Sequence, residues 1–487
     1  MAILGTPRNL SAFYKASSLQ TVSDTSPFWA GNLAHIYLQL SINLDLEGAT
    51  SVTEASKAHS YIRKAADAAY LTAKHFGGEV LEIHGRTLHL GLEYGTENEG
   101  YAKIFQAAGL LHVLLKAAYS GGGPSGWRIS ADQGPTITVT SPGIHNDTSQ
   151  VSLSPAANFP AKQLGKKMVP LGNLGLRIGN IWKTEDLEDL SKTYGSETVA
   201  RNSLFGQQSL VEEVMVKRAR AVDFTQTELS ASAAPLGDPN EAKPHSSFGF
   251  VLSFDLDGFT KRVAKAASGP LEEQRQLAYD FYLIMQESAK FASDHPEWFI
   301  QFPFAGDNAI FAVTAEGLED YKALKRTKVV SIALEWEEKM GGRARYAGYG
   351  GWGQSCSGGG TPHGNSKGNL HVAGILLEGR RYLVGIGPGM RFTRQAFAHV
   401  DPSPKQMAMN KSDVAELHPL LGGDFEDCPS QLADTSSYYK MAELADLNES
   451  IQKINIAQIT RVNATAPSTI QLAHSAIVHR PYCSNSK

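Results

Sequence analysis

Hydrophobic and polar positions alternate in a similar way in two distant parts of the chain. Residues 41–50, SINLDLEGAT, and residues 252–260, LSFDLDGFT, each have the pattern of a half-buried strand that ends in a glycine turn. When Gly48 is aligned with Gly258, Asp45 falls on Asp255. This pair is the first indication of an internal duplication.

A pair of predicted hairpins follows, one after each of these strands. Residues 79–92 have the pattern of two strands around His84-Gly85-Arg86, and residues 298–313 have that of two strands around Ala305-Gly306-Asp307. Stretches with helical periodicity separate each hairpin from the strand before it. Each hairpin is expected to present side chains at its tip.

A third pair of segments supports the duplication. Residues 154–164 align with residues 387–397, so that Asn158 falls on Arg391 and Lys162 on Gln395. The three pairs occur in the same order, and their spacing grows slowly along the chain, as expected if the second copy carries insertions. We therefore predict two tandem copies of one domain.

The predicted organisation has five parts. A segment rich in Ser, Ala, Pro and Glu, without periodicity, separates the copies as a linker. An amphipathic stretch near the C-terminus, residues 439–458, predicts a helix. The parts are an N-terminal arm 1–30, domain 1 at 31–220 (copy one), the linker 221–246, domain 2 at 247–425 (copy two) and a C-terminal extension 426–487.

Composition narrows the class of function. The chain has 487 residues, with 45 Lys and Arg against 49 Asp and Glu, so no basic excess favours a nucleic-acid partner. No apolar run approaches the roughly 18 residues of a membrane span, and the N-terminus lacks a secretory signal pattern. The three cysteines have no metal-ligand spacing and are predicted to be reduced thiols. We expect a cytoplasmic protein.

Two aspartates of copy two are candidate metal ligands. Asp255 lies at a predicted strand end and Asp307 in a predicted hairpin turn. Carboxylates from neighbouring strand ends can share two divalent ions, and the carbonyl of Leu256 could add a ligand. The alternative is that both are ordinary turn aspartates, because Asp is common in turns.

The residues around these aspartates resemble the signature of the class III nucleotide cyclases. That family carries Asp-aliphatic-x-Gly-Phe-Thr after its first strand and Gly-Asp in a later hairpin, as do FDLDGFT and FAGDNAIF here. The resemblance implies that Asp255 and Asp307 hold two Mg²⁺ or Mn²⁺ ions, with Leu256 beside them. It also implies that Phe259 and Thr260 contact the substrate.

The same family uses Asn-x-x-x-Arg on a helix to position the ribose and stabilise the phosphate in the transition state. Asn158-x-x-x-Lys162 in copy one is similar, with Lys in place of Arg, and a four-residue spacing puts both side chains on one helix face. A solvated surface lysine is the alternative interpretation of Lys162. A second alignment, shifted by three residues, offers Arg394 of copy two as the phosphate arginine.

The two copies differ in complementary ways. Copy one has Arg86 where the second metal ligand is expected, and copy two has Arg391 and Gln395 in place of the Asn and Arg. Cyclase sites form between two domains, so the resemblance implies one complete site, with metals on copy two and phosphate contacts on copy one. The second site is then vestigial.

The sequence does not decide which base the nucleotide substrate carries. The resemblance places base contacts at Glu82 and Val151. Glu82 departs from the adenine pattern, since a carboxylate accepts hydrogen bonds from guanine N1 and N2 or from cytosine N4. Val151 supports neither base, and a solvent-facing strand glutamate is the alternative for Glu82.

These observations predict an α/β protein of the α+β sandwich type, with two tandem class III cyclase-like domains that form an intramolecular pseudo-dimer. The expected reaction converts a nucleoside triphosphate to a 3′,5′-cyclic monophosphate and pyrophosphate. The architecture resembles pyrimidine cyclases of anti-phage signalling, which make cyclic CMP or cyclic UMP for an effector. A purine cyclase and a non-catalytic nucleotide-binding pseudo-cyclase are the alternatives. A monomer or a higher oligomer is consistent with an internal pseudo-dimer.

Overall fold

The computed structural model describes most of copy one, and copy two mainly through its strands and its first two helices. The described residues are 28–142, 148–195, 245–255, 259–294, 299–315, 319–321, 354–358, 369–377, 380–391, 406–410, 425–426 and 435–440.

Copy one contains a sheet of seven strands with helices on both faces. The strands are β1 Phe28–Leu40, β2 Glu79–His84, β3 Thr87–Glu93, β4 Trp127–Pro142, β5 Thr148–Leu153, β6 Asn173–Ile178 and β7 Ile181–Asp186. The helices are α1 Leu44–Glu47, α2 Val52–His75, α3 Glu97–Ala118, α4 Pro155–Gly165 and α5 Leu187–Leu190, followed by a π-helical turn Ser191–Gly195. The strand order is β2-β3-β1-β4-β6-β7, and β5 pairs with β4.

One face of this sheet forms the main hydrophobic core with α2 and α3. Alternate residues of β1, such as Ile36 and Leu38, are fully buried in it. Helix α2 begins at the cap Ser51, whose side chain accepts a hydrogen bond from the backbone N–H of Glu54, and it buries a row of alanines. These small side chains allow the helix to approach the sheet closely.

Copy two contains a second, nine-stranded sheet. Its strands are β8 His245–Asp255, β9 Phe299–Gln301, β10 Asn308–Ala315, β11 Gln354–Gly358, β12 Leu370–Leu377, β13 Arg380–Ile386, β14 Gln406–Asn410, β15 Phe425–Glu426 and β16 Thr435–Lys440. Its helices are α6 Phe259–Ala267 and α7 Leu271–Asp294. The order is β13-β12-β8-β11-β14-β16-β15, and β10 pairs with both β8 and β9.

The two sheets share one topology, which confirms the predicted duplication and fold class. β8 corresponds to β1, the β9–β10 hairpin to β2–β3, and β13, β14 and β16 to β5, β6 and β7. In both sheets one strand pair is parallel, β4 with β6 and β11 with β14. The long β4 corresponds to β11 and β12 together, since both pair with β8 at different heights. The predicted insertion in copy two therefore interrupts a central strand.

The two copies pack against each other as an intramolecular pseudo-dimer. The Tyr382 hydroxyl of copy two donates a hydrogen bond to the backbone oxygen of Val80 in copy one, at 2.7 Å. The backbone N–H of Gly387 donates to the carbonyl of Glu47, at 3.3 Å. Helix α7 packs on β1 and β4, and α4 packs on α6.

The strand predicted at residues 41–50 is wrong, and so is the alignment of Asp45 with Asp255. β1 ends at Leu40, and Asp45 lies in α1. In the sheet register, Asn308 at the start of β10 lies opposite Asp255, and Thr87 at the start of β3 lies opposite Gln39. Gln39 is therefore the copy-one counterpart of Asp255, because strand pairing and not a local sequence match sets the equivalence.

The helix predicted at residues 439–458 is wrong where the structure describes it. Tyr439 and Lys440 lie in β16, which pairs with β14 on one side and β15 on the other. Backbone hydrogen bonds to two neighbouring strands hold this segment extended. Residues 441–458 lie outside the described residues. The domain boundaries stay predictions, although β1 and β8 begin a few residues before the two predicted domains and β16, a strand of the second sheet, lies within the predicted C-terminal extension.

Candidate functional site between the two copies

The two predicted metal ligands come from neighbouring strand ends of copy two. Asp255 is the last residue of β8, and Asp307 lies in the turn between β9 and β10. Gly306, directly before Asp307, has a φ of 62°, which allows this tight turn at no cost in steric strain. Because Asn308 lies opposite Asp255 in the β8–β10 pair, the two aspartates meet at one edge of the sheet.

Carboxylate oxygens are the donor set that Mg²⁺ and Mn²⁺ prefer, so this pair of strand ends fits a divalent metal site. Asp307 is half-buried. Leu256 and the side chain of Asp255 lie outside the described residues. Within the described part of the chain, no group of three or more His, Cys, Asp or Glu residues could hold a metal ion.

The predicted substrate contacts of copy two begin helix α6. Phe259 and Thr260 are its first two residues, and the backbone N–H groups of a helix N-terminus favour anions such as phosphate. The Phe259 ring is buried against Phe281, with ring centroids 5.2 Å apart. Its side chain therefore fixes the start of α6, and a substrate contact would use its backbone. Arg394 lies outside the described residues.

Helix α4 of copy one carries Asn158 and Lys162 on one face. It begins at the cap Ser154, whose hydroxyl accepts a hydrogen bond from the Ala156 N–H and donates one to the Pro135 carbonyl. Asn158 is half-buried and Lys162 is exposed. Since α4 packs on α6, the structure brings the Asn158 helix of copy one against the helix that follows Asp255 in copy two.

A cation that the sequence analysis missed lies beside α4. The Arg177 guanidinium stacks over the Phe159 ring, 4.8 Å from its centroid, and pairs with the Asp132 carboxylate at 2.6 Å. Burial raises the pKa of Asp132 to about 6, although Arg177 acts in the opposite direction. Arg177 and Asp132 lie on strands far apart in the sequence, so no local pattern indicates their pairing.

The vestigial site is the second, pseudo-symmetric site, in which copy one takes the part of copy two and copy two that of copy one. It lacks the metal ligands. Arg86 lies at the turn that matches Asp307, and its Nε is 3.4 Å from the Glu47 carboxylate. Gln39 takes the place of Asp255. On copy two, Arg391 follows a helical turn from Gly387, and its buried Nε has no hydrogen-bond partner among the described residues. A metal ion would therefore meet a cation and an amide here instead of two carboxylates.

Glu82 is buried between the two copies. Its side chain lies on β2, and the residue is only 6% exposed. Burial raises its pKa to about 8, and hydrogen bonds from the backbone N–H groups of Ser152 and Gly306 partly offset that rise. Ser152 belongs to copy one and Gly306 to copy two. Val151, the other predicted base contact, is fully buried in β5.

A row of buried polar side chains leads from Glu82 across the sheet of copy one. Glu82 Oε2 lies 3.7 Å from His89 Nδ1, and His89 Nε2 lies 2.9 Å from His35 Nδ1. His35 Nε2 lies 2.7 Å from the Thr136 hydroxyl, which donates its proton to the Gly134 carbonyl.

The hydrogen bonds of this row assign the histidine tautomers. Because Thr136 has given its only proton to a carbonyl, it must accept from His35 Nε2–H. His35 Nδ1 then accepts from His89 Nε2–H, and His89 Nδ1 carries no proton. Burial lowers the pKa of both histidines, so each is neutral. The unprotonated His89 Nδ1 therefore faces Glu82.

The chain has the class III cyclase-like fold, as comparison with solved structures shows. A class III adenylyl cyclase-like ATP-binding protein from Pseudomonas aeruginosa matches with a TM-score of 0.57 and 14% identity, over 88% of this chain and 94% of that one. The adenylyl cyclase CyaB from P. aeruginosa matches over 41% of this chain and 95% of its own, with 11% identity and a TM-score of 0.30. No protein-family model and no curated protein matches the chain. In the described part of the chain, no helix is both long and apolar enough to cross a membrane.

Proposed function

We propose that the protein is a nucleotide cyclase that converts a nucleoside triphosphate to a 3′,5′-cyclic monophosphate and pyrophosphate. The observation that carries the proposal is the asymmetry of the pseudo-dimer. At one of the two pseudo-symmetric sites, copy two contributes the carboxylates of Asp255 and Asp307 at its strand ends. The same copy packs against the helix of copy one that carries Asn158. The vestigial site has Gln39 and Arg86 at the matching positions.

In this proposal Asp255, Asp307 and the carbonyl of Leu256 hold two Mg²⁺ or Mn²⁺ ions. Such ions supply charge neutralisation for the triphosphate and lower the pKa of a bound hydroxyl. The 3′-oxygen of the ribose attacks the α-phosphorus, the bond to the bridging oxygen of the β-phosphate breaks, and pyrophosphate leaves. The proton of the 3′-hydroxyl passes to solvent.

The remaining residues bind and orient the substrate. Asn158 orients the ribose, and Lys162 one helical turn further on stabilises the charge that develops on the α-phosphate. The N-terminus of α6, at Phe259 and Thr260, faces the triphosphate with backbone N–H groups. The exposed position of Lys162 leaves its flexible side chain free to reach a bound nucleotide.

A second candidate is a nucleotide-binding pseudo-cyclase without turnover. Two observations favour it: Lys162 replaces the arginine of the family pattern, and the structural neighbour with a TM-score of 0.57 is described as an ATP-binding protein. Lysine provides a point charge without the planar fork that binds two phosphate oxygens.

The test is incubation of the purified chain with each of the four ribonucleoside triphosphates and Mn²⁺ or Mg²⁺, with products resolved by mass. We expect a cyclic monophosphate, and the identity of its base decides between a purine cyclase and the pyrimidine cyclase of anti-phage signalling. Asp307→Ala should reduce turnover by at least about 100-fold, the order found when one group that stabilises transition-state charge is lost.

The matched control is Arg86→Ala, at the same turn position in copy one. It should leave turnover within about twofold of the unmodified chain, because its pairing with Glu47 lies at the other pseudo-site. Metal-dependent nucleotide binding without product from any base would favour the pseudo-cyclase. Equal loss in both variants would contradict the single composite site.

A further inference from the structure

We propose that Glu82 is a positioning residue. It holds the β9–β10 turn of copy two, which contains Asp307, against α4 of copy one, the helix that carries Asn158. The proposal rests on the proposed function in one respect, that Asp307 is a metal ligand. It gives Glu82 a role other than reading the base.

The Glu82 carboxyl group faces backbone groups from both copies. Hydrogen bonds reach it from the backbone N–H groups of Ser152 and Gly306. Ser152 lies two residues before Ser154, the cap of the helix that carries Asn158. Gly306 lies directly before Asp307. One carboxyl group thus contacts the strand that leads into one half of the site and the turn that forms the other half.

The hydrogen bonds within the hairpin turn leave the Gly306 N–H available to Glu82. The N–H and carbonyl groups of Ala305 and Asn308 bond to each other across the turn, at 2.9 and 3.1 Å. Within the described residues, the Gly306 N–H has no backbone acceptor. The carboxyl group of the other copy supplies an acceptor for this half-buried N–H and so stabilises the turn.

Glu82 itself is held in place by its neighbours in copy one. His89 Nδ1 lies 3.7 Å from its Oε2, the Tyr37 ring stacks on His89 with centroids 4.0 Å apart, and His35 bonds to the other side of His89. Buried side chains fixed on several sides keep one rotamer. The carboxyl group is therefore a fixed point against which both backbone segments dock.

The described residues of the vestigial site lack this arrangement. By distance from the turn glycine, Glu82 matches Pro303, and by strand pairing it matches Phe302, whose N–H bonds to the Ile310 carbonyl. Neither residue has a side-chain acceptor. The layer of copy two that matches the polar row is a hydrophobic cluster that includes Val251, Ile310 and Leu370. Among the described residues, the acceptor is present only where the two halves of the proposed site meet.

The test begins with hydrogen exchange, which needs no catalytic activity. Glu82→Leu removes the acceptor at similar volume, and Glu82→Gln retains a carbonyl acceptor. We expect peptides that cover residues 302–308 to exchange about tenfold faster in Glu82→Leu, as for loss of one hydrogen bond, and to stay protected in Glu82→Gln. Glu79→Leu, on the same strand, is the matched control and should exchange as the unmodified chain does.

A second measurement asks whether the contact positions the metal ligand. Titration with Mn²⁺ alone should show weaker binding in Glu82→Leu, by about tenfold, than in Glu79→Leu. Where turnover is measurable, Glu82→Leu should lower it by the same factor for each nucleotide that reacts, since a positioning residue does not choose the base.

The outcomes separate this proposal from the proposed function. Unchanged exchange at residues 302–308 in Glu82→Leu overturns the positioning role, and a switch of base preference would then identify Glu82 as the base contact. Faster exchange with unchanged Mn²⁺ affinity also overturns it, because the contact would not affect the site. If Asp307→Ala does not weaken Mn²⁺ binding, the metal site of the proposed function fails, and the exchange result still decides whether Glu82 holds the turn.

Discussion

Replacing Glu82 by glutamine should make the stability of the protein less sensitive to pH between about 6.5 and 8. Burial raises the pKa of Glu82 in the folded chain to about 8. In the unfolded chain the same carboxyl group returns to the ordinary value of about 4.3. Between these two values the folded protein holds one proton more than the unfolded chain, so the free energy of unfolding falls as the pH rises.

The change in the free energy of unfolding with pH follows from the one extra proton that the folded chain binds. The free energy of unfolding should fall by about 1.4 kcal/mol per pH unit, or roughly 2 kcal/mol between pH 6.5 and 8, and level off above the folded pKa. The glutamine side chain of the variant is uncharged throughout and has nearly the shape of the protonated acid. The difference in stability between the unmodified chain and Glu82→Gln should therefore grow by roughly this amount in favour of the variant.

The buried histidines titrate below this pH range. Burial lowers the pKa of His35, His59 and His89, so their stabilising contribution is complete above the ordinary histidine value and is lost as the pH falls below it. Above about pH 6.5 they add little slope. The difference in stability between the unmodified chain and Glu82→Gln therefore reports the titration of Glu82 alone.

The assay is urea unfolding of the full chain and of Glu82→Gln at several pH values from about 6 to 8.5, with Glu79→Gln as the control. The control should follow the unmodified chain. Parallel curves for all three proteins would refute the reasoning, because they would mean that Glu82 titrates at the same pH in the folded and unfolded chains. The contact with Gly306 would then lie in a solvated environment.

Two further predictions concern the other half of the site and the vestigial site. Ser154→Ala should lower the free energy of unfolding by about 1 kcal/mol, because the Ala156 N–H loses its cap, and Ser154→Thr, which keeps a hydroxyl that can both accept and donate, should restore most of it; equal melting of all three proteins would contradict the capping role. Gln39→Asp combined with Arg86→Asp, in an Asp307→Ala background, should create Mn²⁺ binding in copy one, whereas Arg86→Asp alone should not. Binding by that single variant would show that the register assigns the wrong partner to the first carboxylate.

The parts of the fold that the sequence predicted correctly are those set by local chemistry. Both hairpins formed where alternating residues flank a glycine, and Gly85 and Gly306 have nearly equal positive φ values of 55° and 62°. The α4 prediction placed Asn158 and Lys162 on one helix, as its Ser-Pro start indicates. These features depend on residues within a few positions of one another.

The errors and omissions are those that depend on pairing across the sheet. Asp45 matched Asp255 through a short shared motif, but only the strand register identifies Gln39 as the counterpart. The sequence around His35 and His89 gives no sign that the two residues meet, and only the fold brings them together beneath Glu82. Single-sequence periodicity contains no information about such contacts between distant strands.

The covalent connection between the copies has a kinetic consequence for the proposed site. Because its halves come from one chain, they meet at an effective concentration set by the connecting segment and not by the amount of protein in solution. A cyclase assembled from two separate chains loses its site as it is diluted below the dissociation constant of the dimer. If the proposed function holds, the turnover per chain should be the same at low and high protein concentration.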